Sequence, residues 1–122
     1  MTAPFMWLDL VSTDGGKTAG FYRDLFGWDV ADAGVGGYQS WIGAGPQPWA
    51  GIVATSGNAG KTGGQWLPYV VVDDLERATK QAVALGATVL AEASDGPAGT
   101  SVRIADPGGA QLALFKPFAA TR

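Results

Sequence analysis

The stretch DGGKTAGFYRDLFG, residues 14–27, and the stretch DLERATKQAVALG, residues 74–86, decide how this sequence folds. Each opens on an aspartate, whose short carboxylate suits the free amides of a helix start. Each closes on a glycine, the residue that most readily takes the left-handed turn ending a helix. Between these signals apolar residues recur at helical spacing. Ala19, Tyr22, Leu25 and Phe26 fall on one face of the first helix, and Leu75, Ala78, Ala82 and Leu85 on the buried face of the second. The two aspartates lie 60 residues apart and the two glycines 59, so one plan occurs twice.

The flanking segments complete that plan. FMWLDLVST, residues 5–13, alternates as a strand does, and short strands separated by Gly-rich turns fit 28–32, 38–43 and 49–54. In the second half LPYVVVDD, residues 67–74, reads as a strand before the helix, and further strands fit 87–93, 99–105 and 110–116. Each half is therefore a βαβββ unit. A single α+β domain is expected over residues 1–122, with one unit over about 1–54 and the other over about 66–122. TSGNAGKTGGQ, residues 55–65, has the composition of a flexible connection between them.

Composition removes whole classes of function. The formal charge is −3 and the basic residues are scattered singly, so no stripe exists to neutralise a run of phosphates, and nucleic acid is not an expected partner. MTAPFMWLDL, residues 1–10, has no basic leader segment and no run of membrane-spanning length; the expectation is a cytoplasmic chain without membrane association. There is no Cys and no His, which removes disulfides, thiolate and Ser–His nucleophiles and imidazole metal ligands. GKT occurs at 16–18 and 60–62, but a phosphate-binding loop needs a glycine where Val11 and Thr55 stand, so both read as turns.

FYRDLFGW at 21–28, the repeated βαβββ plan and the closing DPGGAQLALFKP at 106–117 together resemble the vicinal oxygen chelate superfamily of glyoxalase, bleomycin-resistance and dioxygenase proteins. The resemblance implies two βαβββ units whose sheets curve into an open cup, with the helices outside and ligands bound within. It also implies metal ligands, in the metal-dependent members, on the first and last strands of each unit. Those positions map to Trp7, Leu67, Ala113 and, on the last strand of the first unit, a residue around Val53. None of these side chains offers a metal a suitable oxygen, thiolate or imidazole donor, so neither a metal nor any other cofactor is expected.

Alternation extends this reading, because side chains two apart on a strand share a face. With Trp7, Leu67 and Ala113 facing the cup, Asp9, Val11, Tyr69, Val71, Gln111 and Phe115 face it too. Leu8, Leu10, Val70, Val72, Leu112 and Leu114 are then left to pack beneath the helices. Trp41, Trp49 and Trp66 fall near the predicted rim, where flat rings suit an aromatic ligand, although ordinary core packing is the competing role for each. Asp9 is a carboxylate among apolar neighbours. It is read as a ligand contact and as the candidate acid/base, against the alternative of a structural acid held by local hydrogen bonds, with Gln111 as one partner. Asp106 in ADPGG has turn chemistry, Asp73 and Asp74 suit a helix start, and Arg23 and Asp24 suit a solvated helix face.

Three functions follow. The first is metal-independent binding of a small hydrophobic or aromatic molecule, as in bleomycin-resistance proteins, with Trp7, Trp41, Trp49, Trp66, Leu67, Tyr69, Ala113 and Phe115 supplying contact area and Asp9 and Gln111 orientation. The second is a metal-independent isomerase, cyclase or lyase in which Asp9 moves a proton. The third is a cup filled by its own side chains or used as a homodimer interface, with no ligand.

Overall fold

The computed structural model describes residues 4–33, 38–43, 48–54 and 64–119. Among the described residues ten elements follow in chain order: β1 (Phe5–Ser12), α1 (Gly15–Phe26), β2 (Val30–Asp32), β3 (Ser40–Ile42), β4 (Ala50–Ala54), β5 (Gln65–Val71), α2 (Leu75–Ala84), β6 (Thr88–Asp95), β7 (Gly99–Ala105) and β8 (Gln111–Pro117). This is a mixed α+β chain in which the βαβββ order occurs twice. The Gly-rich turn at 34–37 and residues 55–63 of the expected connection lie outside the described residues. Among those described, no helix is long and apolar enough to cross a membrane.

Both helices start and stop for the reasons their sequences suggest. Asp14 Oδ1 accepts a hydrogen bond from the Lys17 amide at 3.1 Å, and Asp74 Oδ1 accepts one from the Arg77 amide at 3.0 Å. Each aspartate thus satisfies an amide that the helix itself leaves free. Gly27 ends α1 with φ of 71°. Helix α2 ends at Ala84, two residues before the expected glycine. Its amides close a Schellman motif, Gly86 N–H to Val83 C=O at 3.0 Å and Ala87 N–H to Ala82 C=O at 2.9 Å, and Gly86 takes φ of 106°.

Two compact units result, one built on Trp7–Leu67 and the other on the chain from Pro68 onward together with the first residues up to Met6. They are called the first and second units below. In the first, the strand order is β2-β3-β4-β1, with β1 and β4 parallel and the remaining pairs antiparallel. In the second it is β6-β7-β8-β5, with β5 and β8 parallel and the remaining pairs antiparallel. Both units therefore repeat one topology.

One face of each sheet packs on its helix. In the first unit Leu10, Ala19, Ile42, Ala50 and Ile52 are buried together, with Leu8, Tyr22, Trp28, Val30 and Trp66 against them. In the second, Val102, Ile104 and Leu114 are buried with Leu75, Ala78, Ala82, Val72, Val89 and Leu112 around them. Leu8, Leu10, Val72, Leu112 and Leu114, expected from alternation to pack beneath the helices, thus do so.

Three expectations need correcting, two about the helices and one about a strand. Leu85 is 72% exposed, because α2 ends at Ala84 and the capping turn carries Leu85 off the buried face. On α1, Ala19 is buried and Tyr22 half-buried, but Leu25 and Phe26 are more than half exposed. Strand β2 begins at Val30 rather than residue 28, because Trp28 stacks on Tyr22, 5.1 Å between centroids, before the chain enters the sheet.

The closing hairpin is held as its sequence suggests. Asp106 Oδ1 accepts hydrogen bonds from the Gly108 amide at 2.8 Å and the Ala110 amide at 3.0 Å, and Gly109 turns with φ of 95°. This fixes the register of β8 against β7 and so the face on which Gln111, Ala113 and Phe115 stand.

Candidate functional site

Strand β1 places Trp7 and Asp9 on the sheet face away from α1, since Leu8 and Leu10 between and beside them pack with Ala19 and Tyr22. Asp9 is only 6% exposed, and its carboxylate is engaged rather than idle. Oδ1 accepts from Trp7 Nε1 at 2.8 Å and from the Tyr38 hydroxyl at 2.5 Å. One carboxylate oxygen therefore aims two aromatic rings. Charge-assisted bonds of this kind are shorter and stronger than neutral ones, which suits an orienting role.

The two rings lie edge to face at 6.3 Å, and Trp41 completes the group at 5.8 Å from Trp7 and 4.7 Å from Tyr38. All three rings are half-buried. Gly51 makes the arrangement fit. It pairs with Asp9 on one side and Trp41 on the other, and a Cβ there would stand 2.5 Å from the Tyr38 ring and 3.1 Å from Trp7. The bare backbone at Gly51 is what lets Tyr38 lie against the strand.

Tyr38 was not among the residues expected in the site. A strand over 38–43 would turn it away from Trp41 by alternation. The strand instead starts at Ser40, and Tyr38 precedes it, which frees its ring to lie beside Trp41.

The second unit presents a comparable face. Tyr69, Ala113 and Arg103 stand in one row across β5, β8 and β7, and Val71, Phe115 and Ser101 in the next. Tyr69 and Phe115 meet edge to face at 5.7 Å, with Ala113 and Phe115 buried and Tyr69 and Gln111 half-buried. Gly99 admits the Phe115 ring, whose Cζ would lie 2.6 Å from a Cβ at that position. Leu67 is almost fully buried, 2% exposed. Arg103, the other residue not anticipated, was readable from β7. Val102 and Ile104 belong to the helix-side core, so the residue between them faces the opposite way.

Trp49 and Trp66 go elsewhere. Trp66 packs on Tyr22 at 5.6 Å and stacks with Trp49 at 6.4 Å, and Trp49 meets Trp28 at 4.8 Å. These rings form a helix-side aromatic cluster with Tyr22 and Phe26, distinct from the Trp7 group.

The expected metal positions can be tested on their chemistry. Pairing puts Gly51 opposite Asp9 as Ala113 stands opposite Tyr69, so the first-unit counterpart of Ala113 is Gly51, two residues before Val53 on the same strand face. Trp7 uses its only polar atom as a donor to Asp9, and Leu67, Gly51 and Ala113 have no donor atom in their side chains. These residues do not fit a metal ion. Among the described residues no three His, Cys, Asp or Glu side chains come together as a metal group.

The comparisons with known proteins agree with this architecture. Residues 6–115 match the family described as glyoxalase-like domain. The chain is 33% identical over 112 residues to anthracycline biosynthesis protein DauV of Streptomyces sp. (strain C5), covering 90% of this chain and 40% of that protein. It is 29% identical over 125 residues to anthracycline biosynthesis protein DnrV of Streptomyces peucetius, covering 90% and 46%. The chain thus spans less than half the length of these curated relatives. Among solved structures, a methylmalonyl-CoA epimerase of Streptomyces coelicolor superposes with a TM-score of 0.68 at 15% identity, over 100% of this chain and 99% of that one. At that identity the likeness speaks for the fold alone. The match over most of the chain, the twice-repeated βαβββ order and the shared fold make this protein a member of the glyoxalase-like domain family within the vicinal oxygen chelate superfamily.

Proposed function

We propose that this chain binds a planar, largely hydrophobic aromatic molecule without a metal, using the face of the first unit that carries Trp7, Tyr38 and Trp41. One observation carries the reading: a buried carboxylate holds two of these half-buried rings in fixed orientation. Preset rings lose little freedom when a flat ligand packs on them, and aromatic surface supplies contact area. The relatives named for anthracycline biosynthesis support a polycyclic aromatic natural product as the ligand class.

Titration of tryptophan emission with an anthracycline and with plain anthraquinone tests this. Saturable quenching at one site is expected, and Trp41→Ala should weaken binding at least tenfold, about 1.4 kcal/mol. Equal quenching of Trp41→Ala and the parent chain would refute the proposed wall.

A second reading has Asp9 as acid/base of an isomerase, cyclase or lyase, and the word biosynthesis in the relatives' names favours keeping it. It predicts that Asp9→Asn still binds the ligand but no longer converts it, as followed by chromatography of the recovered molecule. The hydrogen bonds at Oδ1 weigh toward positioning, since that oxygen already serves two donors.

A further inference from the structure

Arg103 occupies an unusual place for a cation. It stands on β7 between Val102 and Ile104 of the helix-side core, so its side chain emerges on the other face of the sheet. Its cross-strand neighbours there are Ala113 on β8 and Ala91 on β6, neither of which carries a polar side-chain atom. It is half-buried, whereas the other described cations, Lys17, Arg23, Arg77, Lys80 and Lys116, are exposed.

Among the described residues no acid answers its charge. All eleven Asp and Glu residues lie among the described residues, and the ion pairs there are Lys17–Asp14 and Lys80–Glu76. No hydrogen bond from the Arg103 guanidinium to a described residue is present either. A guanidinium carries five donors and is always charged, and partial burial without acceptors is costly unless something outside the chain supplies them.

Register sharpens the meaning of the position. Arg103 pairs with Ala113 as Trp41 pairs with Gly51, so the two occupy the same place in the two repeats. In the first unit that place holds a ring of the proposed binding wall; in the second it holds a cation, in the same row as Tyr69 and one row from Phe115.

We infer that Arg103, in the same row of the sheet as Tyr69, is an anion-binding position of the second unit that receives the carboxylate of a small aromatic acid. A carboxylate fits the planar fork of the guanidinium through two parallel hydrogen bonds, and the half-buried Tyr69 ring offers apolar contact to the rest of such a molecule. This rests on the reading that the sheet face away from the helix is a ligand face.

The test uses two probes of equal shape, 2-naphthoate and 2-naphthamide, titrated calorimetrically into the full chain. Naphthoate should bind at least tenfold more tightly than the amide, with affinity falling as salt is raised. Arg103→Met should erase that preference while leaving the amide's affinity within twofold, and Arg103→Lys should keep part of it because the charge remains. Trp41→Ala should leave the acid-to-amide ratio unchanged.

Equal binding of the two probes by the parent chain, or a preference surviving in Arg103→Met, would overturn the assignment while leaving the first-unit wall standing. Failure of 2-naphthoate to bind at all would also overturn the assignment, while the first-unit wall stands or falls separately on the anthraquinone titration. Far-ultraviolet circular dichroism of each variant separates a lost contact from a lost fold.

Discussion

Asp9 shows how a side chain that reads as chemistry in the sequence also carries geometry. Its carboxylate binds the indole N–H of its own strand and a phenol 29 residues away, so it fastens the chain entering β3 to the middle of β1. Asp9→Ala leaves both donors without that acceptor and should cost about 2–3 kcal/mol of stability, measured by urea unfolding. Asp9→Asn keeps an oxygen acceptor and should cost clearly less. Equal stability of Asp9→Ala and the parent would show that the bonds do not hold the rings. The sequence alone disclosed an acid among apolar residues on this face, but not its partners. Tyr38 stays hidden in the sequence because alternation over a strand at 38–43 puts it on the face opposite Trp41, and only the late start at Ser40 releases it.

At the scale of elements, the caps were the most readable features, because capping is local chemistry completed within three or four residues. Asp14 and Asp74 sit at matching places and bind matching amides, and the Asp106 turn is equally self-contained. Asp74→Ala should destabilise the chain by about 1 kcal/mol, read as a shift in the denaturant midpoint at unchanged slope. Asp73→Ala, one residue earlier, should have little effect, since Asp74 accepts the Arg77 amide. What depended on contacts between elements was harder to foresee. Trp49 and Trp66 have the same composition signal as Trp7 and Trp41, but they pack with Tyr22 and Trp28 on the helix side. Leu85 fits the helical period yet lies beyond the last turn, where the Schellman bonds redirect the chain.

For the whole molecule, the duplication was legible because it needs only order and spacing, and both units indeed repeat one strand topology. The positions where superfamily relatives are expected to hold a metal carry Trp7, Leu67, Gly51 and Ala113, none with a free donor suited to one. The proposed binding should therefore be indifferent to metal: dialysis against EDTA, or addition of Mn²⁺, Ni²⁺ or Zn²⁺, should leave both the Tm and the affinity for an aromatic probe unchanged. A metal-dependent rise in Tm of several degrees would contradict this. The aromatic group built around Asp9 has one more consequence, an optical one. Indoles as close as Trp7 and Trp41 couple their electronic transitions, and the anchored Trp7 ring keeps the angle between them steady. The protein thus carries its own chiral chromophore pair, whose share of the near-ultraviolet signal, beside that of the Trp28–Trp49 pair, should be lost in Trp41→Phe and report a ligand's arrival without any label.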